Sequence, residues 1–154
     1  MTTVVRVDYK SLKCAVVCTS VLYLKWVVTA FKEGKAKAKY GARAPEDHFI
    51  PGSPEQNFKG ADSEKAKQEL SRWARITGND LENIPFGLII IWASLIADVP
   101  SNVLVRAASA FTVARLGHTF FYAKGKLWGR IFSHLVAQAS LFTLLGASVK
   151  KVFF

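Results

Sequence analysis

Apolar residues along this chain gather into four runs, at about residues 12–31, 79–99, 102–122 and 131–152. Each approaches the roughly twenty residues that an α-helix needs to cross about 30 Å of hydrocarbon. Within the second run, Leu88-Ile89-Ile90-Ile91-Trp92 is apolar around the whole helix, which suits lipid better than the core of a soluble bundle. Residues 32–69 form the only long polar segment, with turn signals at Ala44-Pro45-Glu46-Asp47, Pro51-Gly52-Ser53-Pro54 and Gly60-Ala61. From Ser63 to Leu70 the pattern turns helical, with Asp62 or Ser63 as N-cap, and continues into the second run. Asp98-Val99-Pro100-Ser101 reads as a tight turn with Ser101 or Asn102 capping the third helix, and Lys124-Gly125-Lys126 joins the third helix to the fourth. Short connections force antiparallel neighbours. The expected fold is all-α: an integral membrane, up-down four-helix bundle in a single domain over residues 1–154.

Ionisable and amide side chains interrupt every run: Lys25 in the first, Glu82 in the second, Arg106, Arg115 and His118 in the third, His134 and Gln138 in the fourth. A charge at the bilayer centre costs on the order of 3 kcal/mol, so these groups must face a protein interior, a subunit contact or the headgroup zone. Lys25 and Trp26 also argue against reading the first run as a cleaved signal peptide.

Apolar residues make up 51% of the chain, yet 21 Lys and Arg stand against 11 acids, a formal net charge of +10. That excess does not point to nucleic acid. Lys32, Lys35, Lys37, Lys39 and Arg43 lie in the first loop, and Lys124, Lys126 and Arg130 at the third connection. Four crossings put both on one side, which the positive-inside rule makes cytoplasmic, although Arg6, Lys10, Lys13, Lys150 and Lys151 dilute the bias. Cys14 and Cys18 are too few and wrongly spaced for a metal or redox motif, so they read as small buried apolar residues. No metal is expected.

Two helix faces carry the candidate chemistry. Arg72, Arg75, Asn79 and Glu82 fall within roughly an 80° arc of one face, while Asp80 points elsewhere. Arg115, His118 and Tyr122 share another face within about 60°. With Arg130 and His134 at the start of the fourth helix, both sets fall toward the same membrane side. Several arginines with one carboxylate suit a small ligand bearing carboxylates and an amine. Alternatively, Arg72 and Arg75 are headgroup anchors, Glu82 pairs with Arg115 or Arg75 in a structural salt bridge, and Tyr122 sits at headgroup level.

Asn79-Asp80-Leu81-Glu82-Asn83-Ile84-Pro85-Phe86 with upstream Arg75, Ala44-Pro45-Glu46-Asp47, and Ala114-Arg115-Leu116-Gly117-His118-Thr119 followed by Tyr122 carry a family resemblance over about residues 16–147. The chain resembles the membrane-associated proteins in eicosanoid and glutathione metabolism (MAPEG), in the branch of microsomal glutathione transferase 1 and microsomal prostaglandin E synthase. The resemblance implies a homotrimer with glutathione bound between subunits near the cytoplasmic side, in an endoplasmic reticulum or mitochondrial membrane. By matched position, Arg72, Arg75, Asn79, Glu82, His118, Tyr122 and His134 would bind glutathione, with Glu82 at its amine and Arg75 at a carboxylate. Arg115 and Arg130 would be catalytic, Arg115 stabilising the thiolate. The sequence also departs from the prostaglandin synthase pattern. Gly78 and Ile131 stand where that enzyme has an arginine and a serine, and His134 where it has a tyrosine. The usual arginine at the end of the first helix is missing, leaving Lys32, Lys35 or Lys37 to substitute.

The resulting expectation is a glutathione transferase or peroxidase acting on lipophilic electrophiles or lipid hydroperoxides. A structural subunit of a larger membrane complex, with an idle pocket, is the alternative. A membrane protein that binds anionic lipids in the same basic pocket is a third.

Overall fold

The computed structural model describes residues 7–49, 51–52, 54–60 and 62–154. Arg6, Ser53 and Ala61, which figured in the charge and turn readings, lie outside the described residues. Four helices form: α1 (Tyr9–Lys39), α2 (Glu64–Ile96), α3 (Ser101–Ala123) and α4 (Leu127–Phe153), with a 3₁₀ turn at Pro45–Phe49. There is no strand among the described residues. All four apolar runs are therefore helical, but they are not equivalent. Among the described residues, α1 and α4 are long and apolar enough to cross a membrane on length and composition. In α2 and α3 the interleaved Asn79, Asp80, Glu82, Arg106, Arg115 and His118 dilute the apolar content, which sets these two helices apart from α1 and α4.

The chain divides into two compact units. One holds the described residues up to Leu24 with residues 82–154, and the other holds residues 25–81. Both α1 and α2 pass from one unit into the other.

In the first unit Ala15, Leu22, Ile91, Leu104, Phe111 and Leu144 are fully buried or nearly so. Small residues let the helices approach. A Cβ on Gly87 would overlap the ring of Phe111, one on Gly129 would overlap Phe121, and one on Gly117 would come within 3.2 Å of Ser133 Oγ. This is the small-residue packing expected where hydrophobic burial cannot hold helices together in lipid. Polar pairs add specificity: Trp92 Nε1 donates to Thr19 Oγ1 at 3.1 Å, and the Ser94 and Ser148 hydroxyls lie 2.9 Å apart. Cys14 and Cys18 are free, with sulfurs 3.9 Å apart. Cys18 is buried and Cys14 only partly so, which fits their reading as small apolar residues.

Connections follow the sequence with one correction. The α3–α4 turn is built on Gly125 at φ 67°, where a left-handed backbone favours glycine. The α2–α3 turn instead places Asp98 at φ 55°, and α3 is capped by Pro100 with no side-chain cap bond. Neither Ser101 nor Asn102 serves as the cap; Asn102 Oδ1 accepts only the adjacent Val103 N–H at 3.0 Å. Proline suits the position because the free N–H groups of a first turn do not need its missing donor.

In the second unit the first loop folds back on the ends of α1 and α2. Gln56 is buried: its Oε1 accepts from Arg43 N at 3.1 Å, and its Nε2 donates to Ala38 O and Pro54 O at 3.0 and 2.7 Å. Gly41, at φ 73°, faces Glu55 O so closely that a Cβ would sit 2.6 Å from it. Ser63 caps α2, accepting from Ala66 N at 3.2 Å. Tyr40 OH donates to Glu69 Oε2 at 2.6 Å, and Lys39 Nζ reaches the same oxygen at 3.2 Å. The tyrosine hydrogen bond, ahead of the lysine, holds the Glu69 carboxyl below its ordinary range.

Two outcomes are expected. Gly87→Ala should destabilise the detergent-solubilised protein by at least about 1–3 kcal/mol, because Phe111 must move. Gly146→Ala, with nothing within 4 Å of its added Cβ, should be neutral or gain up to about 1 kcal/mol. Unfolding titrations of the two variants check this. Because the Glu69 carboxyl is lowered on folding, its contribution is present above the ordinary carboxylate pKa and is lost as pH falls through the lowered value. Tyr40→Phe should therefore lower stability at neutral pH and flatten the acid limb, so that variant and wild type converge below the lowered value, as read by thermal unfolding across pH.

Candidate functional site

Asp80 sets the rotation of α2. Its side chain is fully buried, ion-paired to the nearly buried Lys25 of α1, and it accepts from Thr29 Oγ1 at 3.0 Å. At about 100° per residue, Ile76, Ile84, Gly87 and Ile91 fall within roughly 40° of Asp80, and all are buried. Arg75 and Glu82 fall about 140° and 160° away and are exposed, while Arg72 and Asn79 lie at the border and are half-buried. The face seen in the sequence is thus real, and Asp80 points away from it, into packing. A buried carboxylate needs such partners, since an unpaired one would cost several kcal/mol.

A second cluster forms between α3 and α4 in the first unit. Arg115 is fully buried, and His118 is 4% exposed. The His118 ring meets Tyr122 edge-on at 5.7 Å between centroids, and His134 at 6.2 Å. The Arg130 guanidinium lies over the Tyr122 ring at 4.5 Å. The structure therefore gathers His118, Tyr122, Arg130 and His134, with Arg115 one turn from His118 on α3. Gly117 and Gly129, flanking this cluster, allow the two helices to come close enough for the rings to meet. Such a group can bind an anion through arginine, stack on an apolar moiety, and pass a proton through histidine.

Sequence reasoning missed two polar contacts. One is the Lys25–Asp80–Thr29 set, whose signal was a lysine midway along an apolar run with a carboxylate off the ligand face. The other is Gln138 Nε2 donating to Asn83 Oδ1 at 3.0 Å, which ties α4 to α2 one turn beyond His134. No group of three or more His, Cys, Asp or Glu suited to a metal occurs among the described residues.

An all-helical chain with helices apolar enough to span a membrane and a buried arginine–histidine cluster defines a class: helical membrane proteins with polar side chains packed between their helices. The model of the MAPEG family matches residues 11–150, nearly the whole chain, and the protein belongs to this membrane-associated family. No curated protein matches it.

The buried pair yields a prediction. Lys25→Met should cost about 3–5 kcal/mol by leaving the Asp80 charge buried without its cation, whereas Lys25→Met with Asp80→Leu should recover most of the loss. A double-mutant cycle of unfolding free energies reads the coupling.

Proposed function

We propose that this protein is an integral membrane, glutathione-dependent transferase or peroxidase acting on lipophilic electrophiles or lipid hydroperoxides. The observation that carries the reading is the wholly buried Arg115 beside His118, with Tyr122, Arg130 and His134 in ring contact along the same end of α3 and α4. A thiol with a pKa of about 8.5 is mostly protonated at neutral pH, and a guanidinium in a low-dielectric site favours its anion. In this reading Arg115 holds the glutathione thiolate, and Arg130 supports charge that develops on the acceptor. Arg72, Arg75, Asn79 and Glu82 take glutathione's charged ends by their place in the matched motif, Glu82 at the amine. His118, Tyr122 and His134 line the pocket. The thiolate then attacks an electrophilic carbon and expels its leaving group. With a hydroperoxide it attacks the terminal oxygen instead, giving an alcohol and a glutathione sulfenic acid that a second glutathione reduces to disulfide and water.

Arg75 and Glu82 are exposed on the single chain, which favours a pocket completed by a neighbouring protomer, hence a homotrimer. One observation favours the other reading, a structural subunit with little catalysis. The first helix offers only lysines where an arginine is expected, and Lys37 among them is already engaged with Glu33 at 2.6 Å.

Calorimetry on detergent-purified protein should detect glutathione binding at millimolar concentration or below, with conjugation of a chloronitrobenzene acceptor. Arg115→Ala should lower the conjugation rate on the order of 10²-fold. Arg115→Lys, which keeps a cation in the buried site, should retain part of it and guards against simple misfolding. Absence of glutathione binding by the folded wild-type protein would sink the enzyme and leave the structural subunit.

A further inference from the structure

We propose that the groove between the N-terminal half of α3 and the middle of α4 binds an anionic phospholipid, with the headgroup phosphate on Arg106. The groove encloses about 450 Å³. Its polar end is made by Asn102 and Arg106, one turn apart on α3, and its walls by Ala107, Ala110, Val136 and Ala139. Two hydroxyls on the wall do not make it polar. Ser140 Oγ donates to Val136 O and Thr143 Oγ1 to Ala139 O, each at 2.8 Å, so both are satisfied by their own helix and turn methyl and methylene surface outward.

Charge identifies the occupant. Arg106 lies within an apolar helix and is exposed, and it makes no ion pair among the described residues. The described residues of this unit carry three acids. Asp8 accepts from Ser11 N and Oγ at the start of α1, at 2.8 and 2.9 Å. Asp98 pairs with Lys151 at 3.2 Å. Glu82 sits at the opposite end of the α2 segment, fourteen residues before its last residue Ile96, or about 21 Å along a helix. A guanidinium in lipid needs an anion, and this unit has none to spare. A ligand with a phosphate at one end and a hydrocarbon chain at the other fits both parts of the groove. Asn102 adds amide donors beside the guanidinium. From Asn102 to Ala110 the apolar track runs about 12 Å, enough for the upper half of an acyl chain. This site involves none of the residues assigned to glutathione, so the two readings stand or fall separately.

Native mass spectrometry of protein in neutral detergent, titrated with phosphatidylglycerol or with phosphatidylcholine of the same chains, tests this. The expected result is at least tenfold tighter retention of phosphatidylglycerol. Arg106→Gln should abolish that preference, Arg106→Lys should keep most of it, and Ala139→Phe should weaken retention of both lipids by filling the groove. Equal retention of the two lipids by the wild type would overturn the proposal even if the Arg106→Gln protein does not fold. So would unchanged preference in a folded Arg106→Gln protein. Displacement of the lipid by inorganic phosphate at equal concentration would also overturn it, since it would mark a bare anion site.

Discussion

The Lys25–Asp80 ion pair is the constraint from which the polar face of α2 follows. A carboxylate with no exposure needs a cation, and α1 supplies one at the matching depth with Thr29 as a second donor. Once Asp80 is fixed inward, helical geometry leaves no freedom for its neighbours. Arg75 and Glu82 must emerge on the far side, and Asn79 and Arg72 must lie at its edge. A hydrophobic residue at position 80 could bury the same surface, but with far less angular precision. A salt bridge of this kind contributes little net stability, because desolvation offsets most of the Coulomb gain, yet it penalises every wrong rotation strongly. Its role here is to specify orientation.

Packing within the α3–α4 unit obeys a different rule. Lipid tails are as apolar as leucine, so burying leucine between helices gains little, and close approach with directional contacts must do more. Gly87 under Phe111, and Gly117 and Gly129 beside Ser133 and Phe121, provide the approach. Trp92 to Thr19, Ser94 to Ser148 and Gln138 to Asn83 provide the direction. The contacts of His118 with His134 and of Arg130 with Tyr122, each between α3 and α4, depend on that closeness. The buried polar cluster is therefore a product of small residues as much as of the charged ones it contains.

Much of this was legible from hydropathy and spacing alone. The four helices, the α2 extension capped by Ser63, the short turns, and the shared faces of Arg72/Arg75/Asn79/Glu82 and Arg115/His118/Tyr122 follow from periodicity and turn chemistry, which are local. Pairings across elements were not legible. Nothing local says that Lys25 reaches Asp80 or that Gln138 reaches Asn83, since both depend on how far one helix slides along another. The capping of α3 was misread for a local reason: Ser101 and Asn102 are better cap formers than proline, but Asp98 in a left-handed conformation brings the chain into the helix one residue early. Run length also hides the polar residues inside a run, which is why α2 and α3 are less apolar than α1 and α4 although the four runs are of similar length.

Charge balance joins these threads. The described residues of the α3–α4 unit hold nine lysines and arginines against three acids. In water such an excess would be neutralised by counterions at little cost, but the screening length of salt has no meaning inside hydrocarbon. Arg106 and Arg115 each lie within the apolar stretch of α3, about two and a half turns apart on one helix and so on opposite faces. One is exposed and the other wholly enclosed. The same electrostatic demand therefore has two solutions in one helix. The exposed guanidinium is open to groups outside the chain, whereas the enclosed one is surrounded by the protein's own groups. That difference in access is the physical basis for proposing different roles for the two arginines.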